Sequence, residues 1–238
     1  MTTQVKRNIV IEKEKSLKSL FLRWETLLVI LFIVVNIMNA SISRNYLNAA
    51  NLFTAISTFL VKGFIAFPMA YILVLGDIDL SVGSTVALSA TLLGVSYNAG
   101  LPMGVAVVIA LLCGTLCGFI NGIILTKFTE LAAMIVTLGT MTLYRGIAEM
   151  ILGSQSTGGL QNVTWFYNLY YARIGVVPVI FIVFCVLAIA FGFVLHKTTF
   201  GRYLYAIGNS RVVAHYSGIP VQTIRLICFT LVGLVCGI

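Results

Sequence analysis

Long apolar runs separated by short polar segments fill the chain from residue 26 onward. A helix of about 20 mainly apolar residues is long enough to cross the hydrocarbon core of a bilayer. The expected fold is therefore an all-α, polytopic transmembrane helical bundle with about six complete spans and the start of a seventh. We place the spans near residues 26–38, 52–75, 82–96, 104–125, 131–152 and 174–195, and the incomplete seventh at 226–238.

The first apolar run has two interpretations. It is short and is followed by small and polar residues at 39–41, as in a cleavable signal peptide. Apolar residues at 20–22 and Ile42 nevertheless extend it towards spanning length. We favour an uncleaved first span.

Composition excludes an ordinary soluble domain, because 60% of the residues are hydrophobic and 9% are charged, against roughly 25% charged in soluble proteins. The net charge of +8 does not indicate nucleic-acid binding, since the basic residues flank apolar runs. With the N-terminus in the cytoplasm, most of the 15 lysines and arginines lie inside and only Arg44 and Arg173 outside, as the positive-inside rule requires. The predicted organisation is a cytoplasmic N-terminal segment (1–25), a six-span core (26–196), a cytoplasmic loop (197–225) and the start of a seventh span (226–238).

Residues 76–84, with the sequence Gly-Asp-Ile-Asp-Leu-Ser-Val-Gly-Ser, interrupt the apolar stretch between the second and third spans. Ionisable groups near membrane depth usually face a cavity or a partner, so Asp77 and Asp79 are the first functional candidates. Asp79 or Ser81 is a suitable N-cap for a half-helix that directs the positive end of its dipole inward. The alternative is a simple turn between two spans.

Polar residues also occur within the fifth segment. Thr140, Tyr144 and Arg145 are candidates for a polar translocation path. Arg145 and Glu149 are spaced i, i+4, so the alternative is that they only neutralise each other on one helix face. In the fourth span, Gly114, Gly118 and Gly122 recur every four residues and, with small residues such as Ser89 on the preceding span, predict close helix packing.

The cytoplasmic loop is far longer than the 2–8 residues usual between packed helices. Ser210 is a plausible N-cap for a short helix at 211–217, with Gly218 after its end and Pro220 as the stop. Such a helix is suited to docking a partner, although an ordinary interfacial segment has the same pattern. Both histidines lie within residues 196–225 and the five cysteines lie in apolar runs without a CxxC pair, so no catalytic residue or metal site is predicted.

Three motifs together resemble the permease subunits of bacterial ABC importers for ribose, rhamnose and related sugars, including the branch that takes up autoinducer-2. They are residues 76–84, residues 136–140 with 144–146, and residues 200–208 with 217–219. The resemblance implies a multi-pass protein of the bacterial inner membrane, in contact with lipid, that imports a rhamnose- or ribose-like monosaccharide or, alternatively, autoinducer-2. The implied partners are a cytoplasmic ATP-binding subunit, a second permease subunit in a homo- or heterodimer, and a periplasmic sugar-binding protein. No cofactor is expected in the chain, since the partner binds ATP and the sequence has no G-x-x-x-x-G-K-[ST] motif. The resemblance assigns ATPase coupling to the loop, with these candidate residues: Gly201, Arg202, Gly208, Ala214, Ser217 and Gly218.

The chain departs from the pattern of these permeases at two positions. Asp77 stands where they usually have glycine, and Val212 stands where they have an acidic residue. They also continue for three to four further spans, so the chain is expected to be a fragment or a truncated product. A secondary transporter that uses Asp77 or Asp79 for coupling ions remains an alternative, while an intramembrane enzyme would need catalytic groups that the spans lack.

Overall fold

The structure is a computed structural model that describes residues 24–43, 46–153 and 157–238. Over these residues the chain is almost entirely helical, which confirms the predicted all-α fold. The helices are α1 (Trp24–Ile42), α2 (Ala49–Val74), α3 (Val82–Asn98), α4 (Met103–Lys127), α5 (Ala133–Leu152), α6 (Thr164–Tyr171), α7 (Val179–Lys197), α8 (Thr199–Asn209), α9 (Arg211–Tyr216) and α10 (Val221–Cys236). A 3₁₀ turn at Leu160–Asn162 and an antiparallel hairpin of β1 (Arg173–Ile174) and β2 (Val177–Pro178) complete the described elements.

Four helices, α2, α4, α5 and α7, are long and apolar enough to cross a membrane. Residues 26–42 of α1 and the whole of α10 form shorter apolar helices. The predicted total of six complete spans therefore stays a prediction, and so does the interpretation of residues 1–23, which lie outside the described residues.

Two helices do not begin where the predicted spans begin. The helix of the sixth predicted span begins at Val179 and not at residue 174, because residues 173–178 form the hairpin, whose turn is made by Gly175 at φ 64°. The last helix begins at Val221 and not at residue 226, directly after Pro220. Arg225 consequently lies within a helix, where it is buried, and not on the surface of a loop.

The chain divides into two compact units, one ending at Leu52 and one comprising residues 53–238. All of the contacts described below lie in the second unit. Its main core packs α10 against α4 and the end of α2, with Phe229, Ile72 and Leu125 fully buried.

The glycine repeat of α4 faces α10, which confirms the predicted close packing and identifies its partner. A Cβ added to Gly118 would lie 2.9 Å from the Cα of Gly233, and one added to Gly114 would lie 2.7 Å from the backbone nitrogen of Gly237. The two helices therefore approach backbone to backbone, as small residues permit. We call this contact, formed by Gly114, Gly118, Gly122, Gly233 and Gly237, the glycine contact.

Candidate functional site

The connection between α2 and α3 begins with a glycine-terminated helix end. The backbone nitrogen of Gly76 donates to the Leu73 carbonyl and that of Asp77 donates to the Ile72 carbonyl, both at 3.0 Å. Gly76 has φ 77°, so these bonds form a Schellman motif that requires the left-handed conformation. The motif ends α2 and turns Asp77 towards the protein interior, where its side chain is 5% exposed.

Asp77 is bound by two arginines. Its Oδ2 accepts from Nε of Arg225 at 2.7 Å, and its Oδ1 accepts from Nη2 of Arg225 at 3.0 Å and from Nη2 of Arg211 at 2.7 Å. Arg225 also donates from Nη1 to the Leu125 carbonyl at 2.7 Å. These charge-assisted bonds join four segments: the connection, the end of α4, α9 and α10.

Asp79 holds the turn directly before α3. Its Oδ1 accepts from the backbone nitrogen of Ser81 at 2.8 Å and from the Ser81 hydroxyl at 2.7 Å. Ser81 occupies the N-cap position, but its side chain caps no backbone amide, and Asp79 bonds Ser81 and not an amide of α3, so neither predicted side-chain cap forms. Burial raises the pKa of the Asp79 carboxyl, and the hydrogen bonds from Ser81 oppose that rise.

Buried hydrogen bonds connect the turn formed by Asp79 and Ser81 to α4 and α5. Asn121 donates from Nδ2 to the Ser81 hydroxyl at 2.8 Å, and the Tyr144 hydroxyl donates to the Cys117 carbonyl at 3.0 Å and lies 3.3 Å from Oδ1 of Asn121. Thr137 accepts from the Leu80 backbone nitrogen at 3.1 Å. Because buried polar groups need partners, these bonds hold the connection firmly between α4 and α5.

The candidate residues of α5 do not share one environment. Thr140 and Tyr144 are buried, whereas Arg145 is exposed and pairs with Glu149, Nε to Oε1, at 2.9 Å. The predicted i, i+4 ion pair therefore forms, and a role for Arg145 in a translocation path stays a prediction. The structure therefore brings together Asp79, Ser81 and Tyr144, and directs Arg145 away from them.

The short helix predicted in the loop is present as α9. The Ser210 hydroxyl accepts from the Val213 backbone nitrogen at 3.4 Å, and Gly218 ends the helix at φ 80°. The backbone nitrogens of Gly218 and Ile219 donate to the carbonyls of His215 and Ala214 at 3.0 and 3.1 Å, a second Schellman motif. The Ser217 hydroxyl donates to the Val213 carbonyl at 2.8 Å, so it too serves the end of the helix.

The preceding helix, α8, was not predicted. Thr198 caps it by accepting from the Gly201 backbone nitrogen at 3.4 Å, and Leu204 and Ile207 form its buried face. A Cβ on Gly208 would collide with the Val74 carbonyl, and one on Gly201 would collide with the Leu195 carbonyl. Because neither glycine has a side chain, α8 can pack directly against the backbone of Leu195 and of Val74.

The residues that are exposed on α9 differ from the predicted coupling residues. Ala214 is 2% exposed, so a partner cannot contact it directly. Val212, Val213 and Tyr216 are exposed instead, and Arg202 is exposed on α8. A groove of about 530 Å³ opens between this region and the connection, and its lining includes Asp77, Met134, Gly208 and Arg211.

Comparison with known proteins now defines the family. A family model described as "Branched-chain amino acid transport system / permease component" matches residues 51–238. The chain belongs to this family. It is 33% identical over 221 residues to the Autoinducer 2 import system permease protein LsrD of Enterobacter sp. (strain 638), which covers 91% of this chain and 67% of that relative. The proteins of the same name from Escherichia coli (strain K12) and Shigella flexneri are 34% identical over 216 residues, which cover 89% of this chain and 65% of theirs.

The chain thus spans about two thirds of the length of the curated relatives that it matches. No solved structure matches it. Membership confirms the resemblance to importer permeases, and with the apolar helices it makes the chain an integral membrane protein. The family consists of membrane transport subunits and not of enzymes.

Two residues of this permease's polar network were not singled out from the sequence. Asn121 is a fully buried amide in a span, and Arg225 is a fully paired cation at the start of the last helix. The sequence could have pointed to Asn121, because a single amide in an apolar run needs a partner at membrane depth. No comparable signal pairs Arg225 with Asp77, since the two lie 148 residues apart.

Proposed function

We propose that the chain is a membrane subunit of an ATP-driven importer of autoinducer 2 in the bacterial inner membrane. This choice of solute rests on the relatives that are named for autoinducer 2, which align with about nine tenths of this chain. Specificity for rhamnose or ribose, which the motifs alone favoured, has no comparable support and stays a prediction.

The arrangement of the loop supports coupling to a separate ATP-binding subunit. Residues 196–225 contain no Asp or Glu, and α9 presents Arg211 beside the exposed Val212, Val213 and Tyr216. A basic and partly apolar surface fits a partner with complementary acidic and apolar groups. Since most basic residues adjoin this side of the spans, the proposal places the loop and the N-terminus in the cytoplasm.

The exposed face of α5 supports a second permease subunit and a polar path. Arg145 and Glu149 are 61% and 67% exposed by side chain on a helix that otherwise suits a membrane span. Such charges normally face water or protein and not lipid. We therefore assign the translocation path to this face, with Thr140 and Tyr144 supporting it from the buried side and a periplasmic binding protein delivering the solute.

The test is uptake by the natural-length protein coexpressed with the ATP-binding, substrate-binding and any second permease subunits encoded with it. Cells should remove autoinducer 2 from the medium, and an ATP-binding subunit unable to hydrolyse ATP should abolish uptake. Uptake of rhamnose and of ribose is measured in the same cells in parallel. Uptake that continues without ATP hydrolysis, driven by an ion gradient, would support the secondary-transporter alternative and refute the proposal.

A further inference from the structure

Asp77 joins an exposed cation to a buried one. Arg225 is 6% exposed by side chain and binds both oxygens of the carboxylate, while Arg211 is 40% exposed and binds Oδ1. Two guanidinium groups thus share one carboxylate. Arg211 is the outer member of the cluster.

The inner half of the cluster is firmly held. Arg225 makes a two-point contact with Asp77 and donates a further bond to the Leu125 carbonyl at the end of α4. Separating a buried ion pair leaves a charge without a partner in a dry environment, which is strongly unfavourable. Asp77, α10 and the end of α4 should therefore move together.

The outer half connects this rigid group to the short helix. Arg211 is the first residue of α9, and within the described residues its salt bridge is to Asp77. A helix of six residues does not persist alone in water, so its position depends on such contacts. The close packing of Gly208 on the Val74 backbone holds the neighbouring α8 in place. The salt bridge from Arg211 to Asp77 is the ionic contact between α9 and the protein interior.

We propose that Asp77 is a positioning residue that transmits movement of α9 to α10 and α4. A partner that displaces α9 moves Arg211, and the shared carboxylate carries that displacement to Arg225. The inference rests on the proposed function, because it takes α9 as the element that an ATP-binding subunit contacts.

The experiment compares Arg211→Gln with the matched control Lys197→Gln. Both changes remove one cation from the same loop, but Lys197 is exposed and has no salt bridge within the described residues. The natural-length protein is assembled with its partner subunits in nanodiscs, in a background without the five cysteines, and carries a nitroxide label at Val212. One readout is label mobility, and the other is the stimulation of ATP hydrolysis by binding protein loaded with autoinducer 2.

Arg211→Gln should increase label mobility and reduce the stimulation at least about fivefold, the lower end of usual coupling between sites. Lys197→Gln should change neither. Asp77→Glu should retain part of the stimulation because it keeps the charge. In the Asp77→Asn background, adding Arg211→Gln should have little further effect.

Several outcomes would overturn the inference. Unchanged stimulation in Arg211→Gln refutes it, whether or not the label becomes more mobile, because the contact then serves local structure alone. An equal loss in Lys197→Gln refutes it as well, by showing a general effect of charge. If the unsubstituted assembly shows no stimulation at all, the proposed function fails and the inference fails with it. If Asp77→Asn does not fold, the Arg211 and Lys197 variants together with Asp77→Glu still decide the question.

Discussion

Gly118→Ala tests whether the glycine contact holds α4 and α10 together. An added Cβ would collide with the Phe229 carbonyl and would lie 2.9 and 3.0 Å from the Cα and nitrogen of Gly233. All three neighbours are backbone atoms, so no side chain can rotate away. The two helices would have to separate along a contact where Gly114 and Gly122 also pack closely.

The expected loss is the difference between two effects. Overpacking a tight contact usually costs about 1–3 kcal/mol, and a rigid backbone contact belongs at the upper end. Alanine is better than glycine in a helix by about 1 kcal/mol, which opposes the loss. Gly118→Ala should therefore lower the free energy of unfolding by about 1–2 kcal/mol.

The matched control is Gly104→Ala, the same substitution in the same helix. Nothing lies within 4 Å of a Cβ at Gly104, so its stability should be unchanged or slightly raised. Thermal unfolding in one detergent, followed by circular dichroism, should show a melting temperature several degrees lower for Gly118→Ala alone. Equal melting temperatures for the two variants would show that α4 and α10 do not meet as closely as described.

Three further predictions concern Asp79, the loop and the topology. Asp79→Ala should lower stability by about 1 kcal/mol through loss of the hydrogen bonds from Ser81, measured by thermal unfolding, whereas Asp79→Asn keeps an accepting oxygen and should be nearly tolerated; equal loss in both would indicate a requirement for charge. Gly218→Val should impair solute-stimulated ATP hydrolysis while the protein still reaches the membrane, because a β-branched residue is poorly accommodated at φ 80°, and normal stimulation would contradict this. In a cysteine-free background, an impermeant thiol reagent added outside should label a cysteine at Asn168 but not one at Ser210, and the reverse pattern would invert the proposed orientation.

Local features were predictable because their causes lie within a few residues. Ser210 and Gly218 bound α9 as expected, since a cap and a left-handed glycine act on the nearest backbone groups. The repeat of small residues in α4 likewise predicted a close contact, because spacing alone puts Gly114 and Gly118 on one face. The apolar runs determined the helical fold for the same kind of reason.

Helix α8 shows where local reasoning was incomplete. Its cap, Thr198, and its buried residues Leu204 and Ile207 were present in the sequence. Its two glycines, Gly201 and Gly208, lie at backbone contacts that only the folded chain contains.

The partners of the central carboxylates depended on tertiary structure. Asp77 and Asp79 are two residues apart in the sequence, yet one binds arginines from distant segments and the other accepts hydrogen bonds from Ser81, two residues along the chain. The strength of a charge pair depends on distance and burial, and both are decided by how helices pack. The apolar surroundings of these charges therefore predict that they need partners, whereas the packing of the helices alone pairs Asp77 with Arg211 and Arg225.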